Sequence, residues 1–93
     1  KAASKLSPEC IAFGVDVADA ESVAKATART HKAFSTVEGL VNSAGITGPV
    51  KPLVDYDLHE WNKVVAVNLS GTFNCCRAIV PLMSENNYGR IVN

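Results

Sequence analysis

The chain has 93 residues, and its nine Lys and Arg are offset by nine Asp and Glu. That length is less than one typical domain, and zero net charge leaves neither a basic stripe for nucleic acid nor an acidic tail. Hydrophobic residues reach 47% while aromatics stay at 6%, a balance that argues against disorder and for a buried α/β core.

Cys10, Cys75 and Cys76 are an odd number with two adjacent, and no CxxC occurs. That pattern excludes a disulfide framework and points to a reducing, cytoplasmic location. No apolar run reaches membrane-spanning length, and no signal-peptide pattern opens the chain. The first residue is Lys1, and the last follows an apolar stretch that reads as a strand just beginning. The expectation is a piece cut at both ends from a larger domain.

In chain order, Cys10 to Val15 is a short, almost wholly apolar run. Continuous apolarity over strand length suggests a strand buried on both faces, as in a parallel sheet. Asp16-Val17-Ala18-Asp19 follows as a turn. Asp19 can cap a helix from about Ala20 to Phe34, with Glu21 complementing the dipole in its first turn. Val23, Thr27, Thr30 and Phe34 recur at helical spacing as its core face, and Lys25, Arg29 and Lys32 point outward. Residues 37 to 42 read as the second strand, ending in Asn42-Ser43-Ala44-Gly45. A loop with Gly48, Pro49 and Pro52 follows.

Asp57-Leu58-His59-Glu60 has the form of a capping box. It opens a long helix, 58 to 84, in which Pro81 removes one hydrogen bond and is expected to kink or fray the last turn. Gly89 suits a positive φ at its end, and the third strand starts at Arg90. Strand, helix, strand, helix, strand is the order of parallel strands joined by helical crossovers. Along the long helix, Leu58, Trp61, Val65, Leu69, Phe73, Ile79 and Val80 are among apolar residues spread around most of the circumference. One face can cover a sheet; the other needs a second cover, either a second subunit or a further helix of the same protein.

Ligands of open α/β sheets bind at the carboxyl ends of the strands. Asp16 stands at one such end as a ligand acceptor or a turn residue, and Asp19 is the better placed of the two to cap. Asn42 to Gly45 stand at the next end. Small residues there allow close approach to the backbone, and the Asn42 amide can fix the turn or a neighbouring strand; composition alone favours an ordinary strand-to-loop turn. Asn68 is the anomaly. It sits mid-helix between Val67 and Leu69, where its amide competes for backbone groups and, if buried, needs partners. Either it lies on a polar face or the site requires it. Gly71 lets a neighbour pack closely or lets the helix bend. His31 and His59 are lone residues on exposed helix faces, and no metal pattern, phosphate loop or nucleophile elbow appears. Cys75 and Cys76 read as small core residues.

Four segments, Gly14-Val15-Asp16-Val17, residues 40 to 45, residues 61 to 73, and residues 89 to 93, occur in an order and spacing that resembles the middle of a short-chain dehydrogenase/reductase. The resemblance implies a Rossmann-type doubly wound parallel sheet, with 1–93 forming the central part of one NAD(P)-binding domain. It implies that Asp16 meets the adenine amine and that the Val17 amide lies beside the ring. Asn42, Ala44 and Gly45 would steady the sheet and lie along the adenosine ribose, although Ser43 departs from the family's second Asn. Asn68 would be catalytic, its backbone carbonyl holding a water of the proton relay. The helix 58 to 84 would pair between subunits of a homo-oligomer.

The implied reaction is reversible hydride transfer between NAD or NADP and an alcohol/carbonyl pair of a small-molecule substrate, of 3-oxoacyl or sugar/polyol type. A non-catalytic Rossmann dinucleotide-binding regulator or scaffold is the alternative. The family's catalytic Ser, Tyr and Lys and its glycine-rich pyrophosphate turn do not occur in these residues, so the 93-residue piece is expected to be inactive. In the order 3-2-1-4-5-6 its strands would be the third, fourth and fifth. The last two can pair, while the first lacks its native neighbour, and the isolated piece is expected to be unstable.

Overall fold

The computed structural model describes residues 10–93. Its elements are α1 (Ala20–Phe34), β1 (Gly39–Val41), a 3-10 turn (Leu53–Asp55), α2 (Leu58–Val65), a π-helical turn (Ala66–Ser70), α3 (Gly71–Glu85) and β2 (Arg90–Val92). β1 and β2 pair in parallel, in the register Gly39 with Arg90, Leu40 with Ile91 and Val41 with Val92. A parallel pair needs a crossover connection, and α2, the π turn and α3 provide it.

α1 starts where a side chain can satisfy a free N–H: the Asp19 Oδ1 accepts from the Glu21 amide at 3.0 Å. Its inner face packs on α3, and the core lies between them, with Val23, Ile79 and Met83 buried. Thr27 and Thr30 are half-buried on the same face, their hydroxyls donating to the carbonyls of Val23 and Ala26. Phe34, expected in that core, is 48% exposed; it closes the helix at Ser35, whose φ of 67° turns the chain away.

The Cys10 to Val15 run is not a strand. Its residues have no ladder partner among the described residues, and Ile11 and Val15 are close to half exposed. Apolarity marks a segment for burial, but a strand exists only when a neighbour takes its backbone N–H and C=O groups. β1 has that neighbour in β2. The Asp16 to Asp19 turn forms as expected, closed by the Asp19 amide donating to the Asp16 carbonyl at 3.0 Å.

The long helix is continuous from Leu58 to Glu85, but its middle is underwound and wider. The Gly71 N–H donates to the Ala66 carbonyl, five residues back. Such a π turn inserts one extra residue into the helix. Asp57 caps α2 through His59 N–H, whereas Glu60 turns to Lys51, 2.8 Å away, rather than completing the capping box. Pro81 lies inside α3, which runs on four residues to Glu85.

The left-handed residue that follows the helix is Asn87, not Gly89. Asn87 takes the positive φ of 54°, its amide donates to the Ser84 carbonyl, and the Tyr88 amide reaches back to that of Met83. This is the paired bonding of a Schellman cap, with Asn in the left-handed place usually held by Gly. Gly89 serves a different purpose. A Cβ there would clash with the Met83 Sδ and stand 2.8 Å from its Cβ, so a hydrogen at that position lets β2 start against α3.

Candidate functional site

Two chain segments that end extended runs converge on the middle of the long helix. The first is Asp16–Val17. The Asp16 Oδ1 accepts from the Ala18 amide at 3.0 Å, and its own N–H donates to the Ser22 Oγ at 2.9 Å. Asp16 is therefore a turn residue as well as an exposed carboxylate. Its second oxygen and the Val17 N–H have no hydrogen-bond partner among the described residues. An acceptor and a donor thus stand side by side at the end of the apolar run.

The second segment follows β1. The Asn42 amide N–H extends the ladder to the Val92 carbonyl at 2.8 Å. Its side-chain Nδ2 donates to the Asn93 Oδ1 at 2.8 Å and to the Cys76 Sγ at 3.6 Å. One amide therefore joins the ends of both strands to α3. Ala44 is exposed. Gly45 lies against the helix: a Cβ there would come within 3.2 Å of the Asn68 Oδ1. The close approach that a small residue permits at this strand end is made by Asn68.

Asn68 lies in the π turn. Its Oδ1 accepts from the Ile46 N–H and its Nδ2 donates to the Ile46 carbonyl, both at 2.8 Å. The residue is exposed by area, yet both polar ends of its amide are bound to main chain just beyond β1. This removes the conflict posed by an Asn in mid-helix: the amide satisfies a loop's backbone instead of competing for the helix's own. The Asn68 carbonyl accepts from the Thr72 hydroxyl at 3.3 Å. Gly71, three residues on, is buried, and the neighbour it admits is Val17.

Asp16, Val17, Asn42, Gly45 and Asn68 thus gather on one stretch of helix, with Ala44 on the connecting loop. Asn74, Ile46, Cys76 and Asn93 belong to the same assembly and escaped the sequence reading. Asn74 was accessible to the argument applied to Asn68, since it is a second mid-helix amide. Ile46 carries no signal, because it takes part only through its backbone. Beside this assembly, the loop 45–49 and the α2 residues Glu60, Lys63 and Val64 line an open cleft of about 580 Å³.

His31 and His59 are exposed, and no group of three or more metal-ligating side chains occurs among the described residues. Cys75 and Cys76 are half-buried and free, and desolvation pushes the Cys75 thiol above its ordinary pKa, with Cys76 adding to the shift. No helix among the described residues is long and apolar enough to cross a membrane.

The chain resembles proteins of one kind. It is 43% identical over 79 residues to a 2-dehydro-3-deoxy-L-rhamnonate dehydrogenase (NAD(+)) of Sphingomonas sp. (strain SKA58), covering 85% of this chain and 32% of that protein. Its structure superposes on NAD+-bound xylitol dehydrogenase with a TM-score of 0.84 and 32% identity, over 87% of this chain and 31% of the other. It also superposes on ElxO with NADP bound, with a TM-score of 0.83 and 31% identity, over 87% and 33%. The chain spans about a third of the length of these proteins. Its strand–helix–strand unit is accordingly part of a Rossmann-type α/β sheet. With the short chain dehydrogenase pattern matched over residues 1–93, this chain belongs to the short-chain dehydrogenase family.

Proposed function

We propose that the chain is the central part of an NAD(P)-binding domain whose enzyme exchanges hydride reversibly between NAD or NADP and an alcohol/carbonyl pair, of 3-oxoacyl or sugar/polyol type. The observation that carries this reading is the convergence of Asp16–Val17 and Gly45–Ile46 on residues 68 to 74 of one helix. Convergent strand ends are where dinucleotides lie in this fold.

The residues fit the adenosine end of such a cofactor. The second Asp16 oxygen can accept from an adenine amine, and the neighbouring Val17 N–H can donate to the ring. Asn42 steadies the strand ends, and Ala44 and Gly45 leave the path beside the ribose narrow in side chains. When bound, the cofactor supplies the hydride acceptor or donor. Asn68 acts from within the π turn, its amide fixing the Ile46 loop and its carbonyl able to hold a water of the proton relay. The catalytic Ser, Tyr and Lys of the family come from outside these residues, so the 93-residue chain alone does not turn over.

The same protein is proposed to be a cytoplasmic homo-oligomer. Leu58, Trp61, Leu69 and Phe73 are all more than half exposed along one helix, an apolar face that a second subunit would cover. Light scattering of the full-length protein checks this; a monomer would refute it.

The test of the enzymatic reading is kinetic and uses the full-length protein. Asp16→Ala should raise the cofactor Kd, and Asn68→Ala should lower kcat with little change in that Kd. Cofactor titration without turnover of any alcohol or carbonyl substrate would favour a dinucleotide-binding regulator instead.

A further inference from the structure

We infer that Asn74, with Gly71, is a positioning residue for the adenine end of the site: it sets where Asp16 and Val17 stand relative to Asn68. The inference rests on the adenine reading of Asp16 and Val17 proposed above. The Asn74 Nδ2 donates to the Val17 carbonyl at 2.9 Å, across 57 residues of sequence, in a half-buried setting. Independently, the Val17 side chain lies over Gly71. A Cβ on Gly71 would meet the Val17 Cγ2 at 2.7 Å and its Cβ at 3.2 Å. The residue whose N–H would face the adenine is thus gripped on its own carbonyl and its side chain by two residues three apart on α3.

Other contacts of the Asp16–Val17 turn are local. Asp16 bonds with Ala18, Asp19 and Ser22, all within six residues. These shape the turn but do not place it on the sheet, and the preceding run has no ladder partner among the described residues. Asn74 and Gly71 provide the long-range reference. Because Asn68 lies one turn before Gly71 on the same continuous helix, the helix becomes the ruler between the adenine end and the proton-relay end. A helical segment is stiff, so moving Val17 on Gly71 changes that spacing without touching Asn68.

The experiment uses the full-length enzyme and separates the two halves of the cofactor. Adenosine diphosphoribose reports the adenine end, and reduced nicotinamide mononucleotide, used as hydride donor, reports the other. Asn74→Leu removes the donor at similar volume and should weaken adenosine diphosphoribose binding by roughly three- to tenfold, the range for one neutral hydrogen bond. Its kcat/KM with reduced nicotinamide mononucleotide should stay unchanged. Gly71→Ala should show the same one-sided loss through the clash with Val17, and the double variant Gly71→Ala/Val17→Ala should recover affinity because the clashing methyls are gone.

Unchanged adenosine diphosphoribose binding in Asn74→Leu overturns the inference. So does an equal loss with both probes, which marks general destabilisation. Asp16→Ala, measured in parallel, identifies which layer failed. If it weakens adenosine diphosphoribose while Asn74→Leu does not, the positioning role alone is wrong. If neither variant weakens it, the adenine reading of Asp16 and Val17 falls as well.

Discussion

The chain beyond β1 and the chain at Asp16–Val17 reach the same helix, but they are fastened differently. Beyond β1, Asn42 continues the ladder to Val92 and bonds across to Asn93 and Cys76, and Asn68 then grips both backbone atoms of Ile46. At Asp16–Val17 the ladder is missing among the described residues, and the helix holds the turn through one Asn74 hydrogen bond and the packing of Val17 on Gly71. A strand end with a ladder uses the helix to orient its loop. A segment without one uses the helix to be placed at all.

The largest effect should come from the better-fastened end. In the full-length protein, Asn68→Ala keeps the main-chain carbonyl but releases Ile46, and the resulting displacement of the relay carbonyl is expected to lower kcat by about 10², the scale of a proton-transfer contribution, with little change in cofactor Kd. Equal losses in both would mean that the amide serves the Ile46 loop and the cofactor path without positioning the relay carbonyl. At the other end, Asp16→Ala should weaken cofactor binding by about 1.5–3 kcal/mol, as for a hydrogen bond to a charged group. Isothermal titration reads this directly, and an unaltered Kd would remove Asp16 from the site.

Gly89→Ala probes the ladder itself. The added methyl meets the Met83 Sδ, Cγ and Cβ, all within 2.8 Å, so relaxation must move the start of β2 and not just a flexible tip. Overpacking of that kind costs about 1–3 kcal/mol, visible as a lower urea midpoint at unchanged slope. An unshifted midpoint would show that β2 does not rest on α3.

The smallest effect belongs to the Lys51–Glu60 pair, which ties the loop after β1 to α2. Its hydrogen bond to Glu60 holds the Lys51 pKa above its ordinary 10.5. A raised lysine pKa stabilises the fold fully below the unfolded value and loses that contribution as pH rises through the folded one. Urea midpoints of the parent and Lys51→Met should therefore differ slightly and constantly at neutral pH, then merge above about pH 10.5. High salt should shrink the difference below that pH, since the pair is at the surface. A difference that grows at high pH would contradict the assignment.

The 93-residue chain alone offers a further check. Among its described residues only Val23, Ile79 and Met83 are buried hydrophobic residues, while Leu58, Trp61, Leu69 and Phe73 stand in solvent. A broad, weakly cooperative urea transition is expected; a sharp one would show that these faces find cover without the rest of the family's domain.

Much of this was legible in the sequence because it depends on local chemistry. Asp19 caps α1, and that helix spans Ala20–Phe34 as its periodicity indicates. The mid-helix amide of Asn68, which the sequence left open between a polar face and a site requirement, bonds Ile46 outside the helix. The reading failed where a partner decides the outcome. Cys10 to Val15 has a strand's composition and no strand's neighbour. Gly89 looked like a cap by type, but the left-handed position fell to Asn87, one residue past the helix's cap, and Gly89 was needed for Met83.

Local preferences, then, determined α1, the Asp57 cap that opens the long helix and the turn at Asp16, because each is set by groups within a few residues of one another. Only the tertiary structure decided that Asn68 holds Ile46, that Gly71 and Asn74 hold Val17, and that the long helix contains a π turn. The contacts to Ile46 and Val17 join residues 22 to 57 positions apart, and separation along the chain carries no information about which amide a given carbonyl will meet until packing brings them together.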